Sequence, residues 1–290
     1  MPVSERQLAE FADKHAWQVP FDTSPRHLAG PGDARHVTHG LAAAGWTRIS
    51  DPFSTHITLA GPDHRHLLEF TPETGSLARW WHISTRLSGR DEPYWNASFG
   101  ALAPSEVIAS MTDALTTPPP TAPPDPWHPV EAAGWLRDAH GAARSADGMC
   151  HIEQHRRSES RDTPDWSVYV REPSVNGYPG PLLWHARFRY NTPAHLVDAF
   201  LTALTDTAPL QRGKFDQTAH RSALQTASLL SPAQVVTAHT KRITTIAAQT
   251  RTTRHPHQPG TSRTPAPPTG AAPLNPAPGG PQRPHLRPAH

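Results

Sequence analysis

Two stretches of the chain carry the same helical stripe. Val107, Ile108, Met111 and Leu115 fall at i, i+1, i+4 and i+8, and Leu196, Val197, Phe200 and Leu204 repeat that spacing. Each set lies on one face of a predicted helix. Pro104 opens the first helix, and Pro193 stands at the matching place before the second. Just upstream the period falls to two. Trp95-x-Ala97-x-Phe99 and Trp184-x-Ala186-x-Phe188 alternate with other residues, which predicts strands with one apolar face. Further strands are predicted near residues 47–50, 55–60, 65–70 and 78–84. Gly61-Pro62-Asp63-His64 reads as a turn, and so does Ala146-Asp147-Gly148. Asp33 is placed to cap a helix that runs to Ala44 and ends at Gly45. Successive strands with short connections favour an antiparallel sheet, so the predicted class is α+β.

The pattern repeats because the sequence does. Ala42–Arg48 and Glu131–Arg137 agree at five of seven positions at an offset of 89, and the two Trp-x-Ala-x-Phe strands stand at the same offset. Between them the offset drifts to 84 or 85, setting Asp63 opposite Asp147 and Trp81 opposite Trp166. The expected architecture is two tandem repeats, each an antiparallel sheet flanked by an N-terminal and a C-terminal helix. The expected divisions are an N-terminal helical segment (1–23), a first repeat (24–117), a Pro-rich linker (118–126), a second repeat (127–210), a region left open between loop and helix (211–250) and a tail (251–290). Ser4-Glu5-Arg6-Gln7 has the form of a capping box for the first of these. Ser231-Pro232 could open a helix in the fifth, although its many Thr residues count against one.

Composition sharpens the picture of the tail. The chain of 290 residues has 34 Pro, 20 His, 9 Trp and one Cys, with an apolar share of 36%. That share is below the roughly 45–50% usual for globular chains, yet nine Trp argue against disorder throughout. Residues 251–290 hold eleven Pro and no acid, Tyr, Trp or Phe, so a disordered Pro-rich tail is expected there. Charge divides in the same sense. Asp216 is the last acidic residue; residues 217–290 carry eight Lys or Arg, while residues 1–216 hold 19 against 25 Asp or Glu. The net +2 is therefore a mildly acidic body with a basic end, and the body shows no basic stripe for a nucleic-acid groove. One Cys excludes a disulfide framework. No run of about eighteen apolar residues predicts a membrane span. The start, Met1–Arg6, lacks the apolar segment of a secretory signal, which makes the cytoplasm the expected compartment.

These features together resemble a tandem of the SPDY domain, the actinobacterial domain of unknown function 317. The resemblance rests on the lead-in Ser24–Asp33, the Gly45-Trp46 pair, the turn at Gly61-Pro62-Asp63, the Trp80-Trp81 strand, and Trp95-x-Ala97-x-Phe99 followed by Pro104. It covers residues 24–206, and the turn departs from Ser-Pro-Asp in both copies (Gly61-Pro62-Asp63 and Ser145-Ala146-Asp147). The resemblance is to a family whose members often carry two copies, and it implies no known activity and no known catalytic residues.

Candidate chemistry is sparse. His36 and His39 share a predicted helix face, and His64 and His66 a sheet face. Each pair supplies half of a metal site without a Cys or acid at a recognised spacing, so neither a metal nor another cofactor is expected. Cys150 and His151 are neighbours on a strand and point apart. Phosphate loops, zinc-protease helices and nucleophile elbows are missing from the sequence. Strand alternation leaves Trp80, His82, Asn96, Tyr169, His185, Arg187 and Arg189 on the outer sheet face. Outward Trp and Tyr are enriched at binding surfaces, unless a helix or the other copy covers them. The expected function is a non-catalytic protein-interaction module using these seven residues. The alternative is weak nucleic-acid or anionic-surface association through the basic C-terminal tail; an enzyme of unrecognised type ranks third.

Overall fold

A computed structural model of the protein describes residues 3–72, 79–86, 93–155 and 164–254. Helix α1 (Glu5–Ala16) and strand β1 (Pro20–Ser24) come first. Helix α2 (Arg35–Ala43) then leads into β2 (Thr47–Arg48), β3 (Ile57–Ala60), β4 (His66–Phe70), β5 (Arg79–Arg86) and β6 (Pro93–Gly100), and α3 (Ser105–Thr116) follows. The order recurs with α4 (His128–Ala132), β7 (Leu136–Arg137), β8 (Ala142–Arg144), β9 (Cys150–His155), β10 (Asp165–Arg171), β11 (Leu182–Tyr190) and α5 (Ala194–Thr205). Strands β12 (Leu210–Gly213) and β13 (Leu224–Ala227) and helix α6 (Pro232–Arg254) complete the described chain. The chain divides into a unit Met1–His255 and a unit Pro256–His290, the second of which lies outside the described residues.

Local chemistry explains the Gly-Trp pair. Gly45 and Gly134 follow α2 and α4 with φ of +87° and +73°, the left-handed conformation that glycine adopts without steric cost. Gly45 N–H donates to Ala42 O at 2.9 Å and Trp46 N–H to Leu41 O at 3.0 Å; Gly134 and Trp135 bond to Glu131 O and Val130 O in the same way. The helix is closed and the indole turned back toward the sheet in one step. The two tryptophans then differ in depth: Trp46 is 4% exposed, whereas Trp135 is half-buried.

Ten strands form one antiparallel sheet in the order β2-β3-β4-β5-β6-β11-β10-β9-β8-β7. The two strand sets are joined edge to edge, β6 against β11, rather than forming two separate sheets. Phe99 pairs with Ala186 and Ala97 with Phe188. The same register holds in each half, Trp81 against Phe99 and Trp166 against Phe188. Both outer edges are strands of two residues, short enough to discourage pairing with other chains.

The core lies on one side of this sheet. Trp81, Ile83, Trp95, Ala97 and Phe99 are buried together with Trp166, Val168, Trp184, Ala186 and Phe188. Helices cover them: α3 packs on α5, α2 on α3, and α4 on α5. At the centre Phe200 of α5 sits 5.3 Å from Phe99 and 5.1 Å from Phe188, which are themselves 5.7 Å apart edge to face. Such aromatic geometry adds about 0.5–1.5 kcal/mol per pair beyond the buried area. A second joint fixes the lead-in loop. His27 Nε2 lies 2.8 Å from Asp147 Oδ2, and Trp184 Nε1 donates to His27 O at 2.8 Å. In the first half Asp63 faces its own neighbour, His66, at 3.4 Å.

The two ends of the described chain differ most from expectation. Within the expected segment 1–23, the described residues 3–23 are tied into the rest of the chain, because β1 is the middle strand of a three-stranded sheet, β12-β1-β13. Phe11 is fully buried, and α1 packs against α6. The region left open, 211–250, contains β13 and most of α6, and α6 runs on to Arg254, past the expected start of the tail. Its threonines are accommodated by bonding back along the helix, as Thr237 Oγ1 does to Ala233 O at 2.8 Å and Thr245 Oγ1 to Lys241 O at 2.9 Å. Ile243 and Ile246 are buried, which supplies tertiary support that propensity alone does not count. The expectation of disorder for 255–290 falls outside the described residues.

Candidate functional site

The side chains that alternate with the buried set point away from the helices. One row crosses the middle of the sheet: Glu69 opposite His82, His82 opposite Ser98, Ser98 opposite Arg187, Arg187 opposite Ser167, and Ser167 opposite Glu153. The row is nearly a palindrome, with acids at both ends and an arginine beside the midpoint. Ser98 is only 3% exposed, sunk among longer neighbours. Arg187 and Arg189 are exposed, and among the described residues neither makes an ion pair.

The other outward residues flank this row. Asn96 lies opposite Arg189 and beside Ser84; Tyr169 lies opposite His185 on one side and His151 on the other. Tyr169 is half-buried under the Arg171 guanidinium, 5.6 Å above its ring. Burial holds the pKa of His82 and His185 below the ordinary histidine value; Glu69 opposes this at His82 without overcoming it, and Arg79 at both and Arg187 at His185 push downward. Both rings are therefore neutral at neutral pH, which leaves the two arginines as the charge at the centre of the face.

Trp80 stands apart. It lies at an irregularity in β5 between Arg79 and Trp81, is half-buried, packs on the core and meets Phe70 edge-on at 6.2 Å. Its place is the margin of the sheet, at the end away from Arg189. His82, Asn96, Tyr169, His185, Arg187 and Arg189 are brought onto one face, uncovered by any described helix. The face is not buried by one half packing on the other, since both halves belong to a single sheet.

The remaining candidates lie away from this face. His64 sits in the turn with φ of +57°, ahead of the strand that holds His66. His36 Nε2 is 3.6 Å from Glu106, and His39 Nδ1 is 3.1 Å from His239 Nε2. Among the described residues no group of three or more His, Cys, Asp or Glu is placed to hold a metal ion. Cys150 is fully buried, with its thiol pKa pushed up by burial and by Asp147. His151 lies on the opposite sheet face, its Nε2 2.9 Å from Gly148 O. Of the basic residues of 217–290, Arg242 is taken up by two bonds to Asp113, at 2.8 and 2.6 Å. No described helix is long and apolar enough to cross a membrane.

What residue-by-residue reading missed was distant in sequence. Phe11, His15, His36, His39 and His239 meet in one cluster, with Phe11 stacked on His239 at 3.9 Å. The His36 and His39 pair on one predicted helix face announced part of it, and the high His count was the other hint.

Fold and face together define a helix-backed antiparallel sheet protein that presents a basic patch bordered by neutral histidines. The family model described as SPDY, domain of unknown function 317, matches residues 60–121 and again 144–210, so the chain is similar to that family over two separate segments. The first match begins at Ala60, so the lead-in loop and Gly45-Trp46 lie outside it. No curated protein and no solved structure matches the chain.

Proposed function

We propose that the chain is a non-catalytic protein-interaction module, built from two helix-flanked copies of one unit, that receives its partner on the open sheet face. The carrying observation is the pair Arg187 and Arg189, exposed and without ion pairs among the described residues, at the centre of an uncovered face. Arginine beside a half-buried tyrosine is the composition found at energetically important contacts. The chemistry that complements this centre is an acidic, extended protein segment. Its carboxylates would meet the guanidinium groups bidentately, and its apolar side chains would cover Tyr169. The buried small residues Ser84, Ser98 and Ser167 leave a shallow floor between the longer side chains.

The test is affinity capture from nuclease-treated native lysate, using the full chain and an Arg187→Glu/Tyr169→Ser variant with an unchanged melting temperature. The expected result is an acidic protein retained by the first and lost by the second. Equal retention by both removes the sheet face from consideration. If nucleic acid added back competes with retention, and retention falls steeply with salt, association through the basic end is favoured instead.

A further inference from the structure

A cavity of about 280 Å³ lies where α1, β1, β12 and α6 come together. Its walls are largely apolar, formed by Pro20, Leu210, Leu230 and Val235 among others. Polar groups gather at one side: His15, His36 and His239 with Gln211. Among the described residues four buried side-chain polar atoms have no hydrogen-bond partner. Three of the four, His15 Nε2, Gln211 Oε1 and His239 Nδ1, belong to residues that line this cavity; His15 Nε2 faces Asp33 Oδ2 at 3.5 Å, which leaves Gln211 Oε1 and His239 Nδ1 idle. His239 is 4% exposed. Its Nε2 is committed to His39 and its ring is stacked on Phe11, so the idle Nδ1 cannot be relieved by free rotation. Buried polar atoms are nearly always satisfied, and two exceptions around one space point to what the space receives.

The charges at the cavity are already matched. Arg212 directs its five N–H groups to Glu106 Oε1 and Oε2, Ala29 O, Gly30 O and Gln211 O. Arg242 is paired with Asp113. A charged ligand would enter without a counter-ion in a desolvated place, whereas a hydroxyl can donate to Gln211 Oε1 and either donate to or accept from a histidine nitrogen. We propose that this cavity is a binding site for an uncharged amphipathic small molecule of the phenol or cyclic-alcohol class, its ring against Leu210 and Val235 and its hydroxyl toward the idle atoms of Gln211 and His239. The volume suffices, since an apolar cavity of about 150 Å³ already admits benzene. The site is independent of the sheet face, and most of its lining lies outside the segments matched by the family model.

The test titrates phenol into the full chain and follows the imidazole nitrogen resonances of His15 and His239 together with the melting temperature. Toluene serves as the comparator without a hydroxyl and benzoate as the charged one. Saturable binding of phenol that moves both histidines is expected, with toluene weaker by about tenfold, the loss from one unmade hydrogen bond, and no binding of benzoate. Val235→Trp, whose added bulk occupies the cavity, should abolish binding; if that variant melts early, Ala238→Phe on the same wall decides. The proposal is overturned if phenol fails to saturate, if toluene binds as well as phenol, or if the well-folded filling variant binds phenol unchanged.

Discussion

Ser98 and Arg187 stand directly opposite each other at the middle of the ten-stranded sheet, and each is the other's counterpart at the offset of 89 that relates the two halves. An antiparallel strand that pairs with its own copy must set one position against its equivalent. At that position identical charges would face one another, and like charges directly across a sheet destabilise it. The two halves differ there, a small buried hydroxyl against a guanidinium. Ser98→Arg should cost about 1–3 kcal/mol through overpacking and repulsion. Combining it with Arg187→Ser exchanges the pair across the centre and should recover most of the loss. Urea unfolding of the two single variants and the double variant measures this; a double variant no better than Ser98→Arg alone contradicts the pseudo-symmetric centre.

The two Gly-Trp tryptophans should not be equivalent energetically. Trp46 is buried, and Trp46→Ala should cost about 3–5 kcal/mol. Trp135 is half-buried, with His27 against its ring edge at 6.0 Å, so Trp135→Ala should cost clearly less. Equal losses in chemical denaturation would show that exposure does not set the difference.

Acid should destabilise the histidine cluster before it affects most carboxylates. Burial, with the charge of His36, His39 and Arg242 behind it, holds His239 down to about 2; burial and Arg35 hold His39 down to about 4. Both are neutral when folded at pH 7 and take up a proton on unfolding once the pH is below about 6.5. The folded state then binds fewer protons, so stability falls as the pH drops. The window runs from about 6.5 to about 4 for His39 and on to about 2 for His239, each adding about 1.4 kcal/mol per pH unit. Asp33 adds to the acid end. Burial would raise its pKa, but His15, Arg35 and Lys14 outweigh that and hold it well below the carboxylate range, so its stabilising effect is lost only below about pH 4. His239→Phe, which preserves a ring on Phe11, should reduce the slope between about pH 6 and 4.5 by up to about 1.4 kcal/mol per pH unit. Unfolding curves across that range read it directly, and an unaltered slope would count against the buried neutral imidazole.

Truncation after Asp216 should be severe. It removes β13 and α6, strips Ile243 and Ile246 from the core and leaves Asp113 without Arg242. Burial raises the pKa of Asp113, and Arg242 opposes that rise. The expected loss exceeds about 4 kcal/mol, seen as a broad or absent thermal transition; a cooperative melt close to that of the full chain would mean α6 is dispensable.

The internal layout of each half was legible because its signals are local. Trp95-x-Ala97-x-Phe99 alternates within five residues, and the stripe of Val107, Ile108, Met111 and Leu115 lies within three turns. The outward positions follow from the same alternation, except Trp80, where an extra residue in β5 shifts the strand's register. What could not be read depends on partners far away in sequence. β1 pairs with β12 and β13 across nearly the whole described chain, and neither partner strand carries an apolar alternation that would announce it. The histidine cluster draws on α1, α2 and α6, and no spacing rule links residues so distant.

The shared sheet sets an order on synthesis. β6 leaves the ribosome complete long before β11 exists, and until then its far edge bears unpaired N–H and C=O groups beside a row of tryptophan and phenylalanine. A neighbouring nascent copy presents the matching strand equally well. Chains translated side by side on one message can therefore trade halves, β6 of one closing on β11 of the other, and such an exchanged dimer would preserve the contacts of the monomer's central seam.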